Sequence, residues 1–100
     1  MKRPEQLAEL GDRLRRELPR LRDRYQIESL ALFGSRVRGE ESADSDLDVM
    51  VVFVEAPGLL KFLELESHLS DLLGVRVDLV MKDALKPRVS DRVLREAVAV

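Results

Sequence analysis

Three aspartates at alternate positions, Asp44, Asp46 and Asp48, crowd the mouth of the apolar run Val49 to Val54 in the stretch ALFGSRVRGEESADSDLDVMVVFV. Carboxylates are costly to take out of water, and like charges this close repel one another. In an extended strand, residues i and i+2 point to the same side. Asp46 and Asp48 would therefore project two carboxylates about 7 Å apart from one face. In a partly desolvated sheet such a pair is unfavourable unless a cation neutralises it. The chain has no cysteine and a single histidine, His68, away from this stretch. The ligand set is then all oxygen, which suits Mg²⁺ or Mn²⁺.

Asp78 has the character to complete the set, because it interrupts the apolar stretch VRVDLVM. A segment with helical periodicity separates it from Asp48. A strand-helix-strand crossover sets its two strands parallel and usually adjacent, so Asp78 can reach the same place. Upstream, Gly34 in GSRVRG permits a tight turn and close backbone approach. Ser35 adds a hydroxyl and a backbone N–H at the start of a short helix, a cradle for phosphate. Arg36 and Arg38 add positive charge for a triphosphate.

The elements that must hold these residues follow from periodicity. Residues 4–24 carry Leu7, Leu10, Leu14, Leu18 and Leu21 at three- and four-residue steps, an amphipathic helix that Pro19 should kink or end early. Its arginines make a basic, solvated face. IESLALF (27–33) suits a strand running into Gly34, and the stretch from Asp46 to Val54 suits a central one. Leucines and Phe62 return to helical spacing over 59–73, with Gly74 as a stop. Residues 75–81 alternate as a third strand, and Pro87 opens a last helix using Val89, Val93, Leu94 and Ala97. The order α-β-β-α-β-α implies an α/β (α+β) fold, a small mixed sheet with packed helices. His68 reads as a surface or boundary histidine, and Tyr25 as a packing or surface residue.

A chain of 100 residues is read as one domain, 1–100. Hydrophobic residues at 45% and charged residues at 36% indicate a globular chain rather than a disordered one. No apolar run approaches a membrane span or a signal peptide, so the default expectation is cytoplasmic. A net charge of −2 argues against a general nucleic-acid binder.

Gly34-Ser35, ten intervening residues and then Asp46-Leu47-Asp48 fit the pattern G-S-x10-D-x-D. In this the chain resembles the nucleotidyltransferase superfamily to which DNA polymerase β belongs. Its size and its GSRVRG and SDLDV wording are similar to the minimal nucleotidyltransferases, antitoxin partners of HEPN-domain toxins. The same spacing separates the aspartates, since Asp44 falls out of the pattern and reads as a loop residue.

The resemblance implies a nucleotidyltransferase-fold core and a Mg²⁺-dependent transfer of AMP from ATP to a hydroxyl, releasing pyrophosphate. Asp46, Asp48 and Asp78 would be the catalytic acids and the ligands of two metal ions. Gly34 and Ser35 would hold the β- and γ-phosphates, assisted by Arg36 and Arg38. The acceptor it implies is a tyrosine of a HEPN toxin, in a hetero-oligomer or beside a homodimer. Two other readings stand beside this one. One is an antitoxin that neutralises by binding alone, and the other is an aminoglycoside-type enzyme acting on a small hydroxylated molecule.

Overall fold

A computed structural model of the chain describes residues 3–34, 37 and 46–100. Along the chain run α1 (Arg3–Tyr25), β1 (Ile27–Phe33), β2 (Leu47–Phe53), α2 (Leu59–Leu73), β3 (Val77–Met81), a 3₁₀ turn (Lys82–Ala84), α3 (Pro87–Glu96) and β4 (Val98–Ala99). The alternation read from the sequence is present in its expected order. Among the described residues two elements are additional, the 3₁₀ turn and β4. Each is too short to leave a periodic signal.

The strands form one mixed sheet in the order β3-β2-β1-β4. β1 and β2 are antiparallel, with Leu30 opposite Val51, Leu32 opposite Val49 and Phe33 opposite Asp48. β2 and β3 are parallel, as a crossover through α2 requires, with Leu47 beside Val77 and Asp48 beside Asp78. β4 adds antiparallel to the outer side of β1.

The core lies on one face of this sheet. Leu10, Leu14, Leu18, Leu21 and Tyr25 of α1 meet Leu65, Leu69 and Leu73 of α2 above Leu30, Leu32, Leu47, Val49, Val51, Val77 and Leu79. Pro19 does not end α1, which runs on through it to Tyr25. A proline inside a helix costs about 3 kcal/mol. Leu18 and Leu21 flank it and are both buried, and each such side chain contributes about 1.5–3 kcal/mol. Tertiary burial therefore outweighs local propensity. Beyond the helix, Gln26 turns the chain into β1 at φ 58, and its carbonyl accepts the Val54 N–H at 2.8 Å.

Gly74 stops α2 in the left-handed region, φ 69, donating its N–H to the Ser70 carbonyl. Pro87 stands at the head of α3, as anticipated. The residues expected to seat α3 behave differently. Val93 is buried, whereas Val89 and Leu94 are exposed and Ala97 lies past the helix end. α3 is not part of the main core. Of the four, Val93 alone is buried.

Candidate active site

Alternation along β2 divides its residues between two environments. Leu47, Val49 and Val51 are fully buried in the core. Asp48, Met50 and Val52 project from the opposite face, where Met50 is buried and Asp48 and Val52 are half-buried. The parallel register places Asp48 directly beside Asp78 on that face. Both acids expected on neighbouring strands are thus brought together. Asp46 precedes β2 and turns towards Arg76, whose Nη1 is 3.8 Å from its Oδ1. Among the described residues, no three acidic or histidine side chains already close around one point.

The Asp46–Arg76 pair is loose and wet, with side-chain exposures of 38% and 82%. An exposed ion pair of this kind contributes about 0–1 kcal/mol. A divalent cation therefore competes for the Asp46 carboxylate at small cost. Asp46, Asp48 and Asp78 offer carboxylate oxygens alone, and that donor chemistry fits Mg²⁺ or Mn²⁺.

Gly34 ends β1 against Asp48. Its φ of +87° lies in the region that favours glycine, and a Cβ there would collide with the Asp48 carboxylate. The Gly34 carbonyl accepts the Val37 N–H at 3.1 Å, the hydrogen bond of a tight turn. Glycine is thus required by both backbone and space at the position where the sequence places a phosphate turn. Ser35, Arg36, Arg38 and the loop residue Asp44 lie outside the described residues.

A support for Asp78 escaped the sequence reading. β3 is an edge strand, and its outward N–H groups need acceptors that a neighbouring strand does not supply. Ser70 Oγ accepts the Val77 N–H at 3.0 Å, and Glu66 Oε2 accepts the Leu79 N–H at 2.9 Å. Ser70 also donates to the Glu66 carbonyl at 3.0 Å. Two polar side chains one turn apart on α2 therefore fasten the backbone on either side of Asp78. Their i, i+4 spacing puts them on one side of α2, but α2 also carries Lys61, Glu64, Ser67, His68 and Asp71, so spacing alone does not single them out.

On the far side of the molecule, the Tyr25 hydroxyl lies 3.1 Å from His68 Nδ1, with the rings edge to face at 5.8 Å. His68 is half-buried, a boundary histidine as expected, and it partners a buried tyrosine. Tyr25 has the packing role expected of it.

Beside Gly34, a cleft of about 420 Å³ opens between the end of β1 and α3, lined by Phe33, Gly34, Arg88, Val89, Arg92, Val93 and Glu96. No helix among the described residues is long and apolar enough to cross a membrane.

Comparison with known proteins bears on this arrangement. Residues 14–100 match the family model described as Nucleotidyltransferase domain. The protein adenylyltransferase MntA of Thermococcus cleftensis is 50% identical over 94 residues, covering 94% of this chain and 95% of that protein. A solved structure described as a minimal nucleotidyltransferase superposes with a TM-score of 0.75 at 39% identity, covering 100% of this chain and 97% of the other. A chain from the complex of a tri-AMPylated HEPN toxin of Shewanella oneidensis with its MNT antitoxin superposes with a TM-score of 0.60 over 97% of this chain and 70% of its own. At 20% identity, that last match speaks for the fold alone.

Proposed function

We propose that this chain, which belongs to the nucleotidyltransferase domain family, transfers AMP from ATP to a tyrosine hydroxyl of a HEPN-domain toxin and so acts as its antitoxin. Family membership makes the chain a nucleotidyltransferase. The acceptor class is supported by the half-identical MntA relative, a protein adenylyltransferase. The observation that carries the chemistry is the placement of Asp48 beside Asp78 on the open face, against a glycine turn.

Each side chain has a role in this reading. Asp46, Asp48 and Asp78 would hold two divalent cations. Bound there, those cations neutralise triphosphate charge and favour the ionised form of an attacking hydroxyl. The Gly34-Ser35 turn receives the β- and γ-phosphates through backbone N–H groups, with Arg36 and Arg38 adding charge. The Asp78 carboxylate orients the acceptor hydroxyl and takes its proton. The acceptor oxygen forms a bond to the α-phosphorus while the bond from that phosphorus to the bridging oxygen breaks. Pyrophosphate departs with the bridging electrons. Positioning and charge neutralisation supply most of the acceleration in such a transfer.

The test is intact-mass spectrometry of the HEPN partner after incubation with this protein, ATP and Mg²⁺. The reading expects one or more AMP additions on tyrosine, absent with the Asp46→Asn/Asp48→Asn variant. A partner left unmodified by the wild-type protein overturns it. Full protection of cells by the double variant would show neutralisation by binding alone.

A further inference from the structure

The cleft between β1 and α3 has a composition that the metal site does not explain. One of its walls is the face of α3 bearing Arg88, Arg92 and Glu96 at successive four-residue steps, with Val89 and Val93 beside them. Residues four apart on a helix are neighbours on its surface. Their backbone positions are therefore about 6 Å apart along the axis, a spacing from which two guanidinium groups can reach a chain of linked phosphates. Arg88 has no ion-pair partner among the described residues. Arg92 is 68% exposed, with its Nε 3.9 Å from Glu96 Oε1. The ends of both side chains face water and can turn to an anion.

The floor of the cleft is apolar. Phe33 is half-buried, and Val89, which belongs to no core, is 46% exposed. A mostly apolar concavity with a few convergent charges is the usual form of a small-molecule site, and about 420 Å³ falls within the common range of about 300–1,000 Å³. Gly34 belongs both to this cleft and to the metal site, since its other side abuts Asp48. A polyanion lying along the Gly34 turn would have carboxylate-bound cations on one flank and the α3 arginines on the other.

We infer that the α3 cleft flanks the phosphate chain of the donor nucleotide held at the Gly34 turn, with Arg88 and Arg92 as further side-chain contacts and Phe33 and Val89 covered by the rest of the ligand. This rests on the nucleotidyl-transfer reading for the identity of the donor. It assigns to the last helix a binding role separate from the motif residues on the sheet. Glu96 is a positioning residue that steadies Arg92, and with two guanidinium groups against one carboxylate the helix face keeps a net positive charge.

The experiment is calorimetric titration of the full chain with AMP, ADP and ATP in Mg²⁺, using wild type, Arg88→Gln/Arg92→Gln and Arg88→Lys/Arg92→Lys. Charge-assisted contacts of this kind lead us to expect a loss of about tenfold or more in ATP affinity for the glutamine variant. AMP affinity should change by less than about twofold, and the lysine variant should recover most of the loss. Equal melting temperatures for the three proteins establish that α3 is intact. ATP affinity unchanged in the glutamine variant overturns the inference, as does an equal loss for AMP and ATP. Wild-type protein that fails to bind ATP overturns it together with the proposed function. If ATP binds through the arginines but no partner is ever adenylylated, the cleft assignment stands and the transfer reading falls.

Discussion

The two faces of β2 are made from the same seven residues and obey opposite rules. Towards α1 and α2, Leu47, Val49 and Val51 are excluded from water and packed by leucines from both helices. Towards the open face, Asp48 stands beside Asp78, with Asp46 just before the strand. The first face holds the fold together and carries no chemistry. The second gathers carboxylates, with Asp46 held loosely by Arg76. A period of two residues lets one strand serve both purposes, because neither set of side chains intrudes on the other.

If the faces are separable in this way, damage to one should spare the other. The largest effect is expected from Leu65→Ala, which empties a fully buried position in the core. Its loss of stability should be about 2–5 kcal/mol, read by urea denaturation, with nucleotide affinity retained in the protein that remains folded. Next comes Gly34→Ala, which strains a positive φ and drives a methyl group into the Asp48 carboxylate. Adenylyl transfer should fall by about 10²–10³-fold, while the melting temperature moves by only a few degrees. Transfer near the wild-type rate would break the link between the glycine turn and Asp48. The smallest effect belongs to Ser70→Ala, which leaves the Val77 N–H without its acceptor. A loss of about 1 kcal/mol is expected, together with a few-fold drop in transfer, because the change loosens the strand under Asp78. Here a stability loss with unchanged transfer would separate β3 anchoring from the site.

Much of this organisation was legible from residue spacing. The strands at 27–33 and around Asp48 announced themselves by β-rich apolar runs, and α2 by leucine periodicity with Gly74 at its end. That Asp78 lies on the strand beside Asp48 followed from topology, since a helix between two strands makes them parallel, whereas the register that pairs the two comes from the sheet itself. Three features were not legible, each for a physical reason. Pro19 carries a local signal against helix that was overruled by leucines packing from other elements, which no local window contains. The last helix is marked by Val89, Val93, Leu94 and Ala97, yet of these Val93 alone is buried, because periodicity reports an apolar face without saying whether it is covered. Glu66, Ser70 and the Tyr25–His68 pair act through contacts between distant segments, so their roles appear only once the helices are docked.

The central claim is that the open face of the sheet is a divalent-cation site shared between β2 and β3. It is tested most directly by Mn²⁺ titration followed by electron paramagnetic resonance, comparing wild type with Asp48→Asn and Asp78→Asn in the presence of ATP. The account predicts saturable Mn²⁺ binding to wild type, weakened by about tenfold or more in each single variant, with all three proteins equally folded. Mn²⁺ binding in Asp78→Asn indistinguishable from wild type would contradict it, because the neighbouring strand would then contribute nothing to the site.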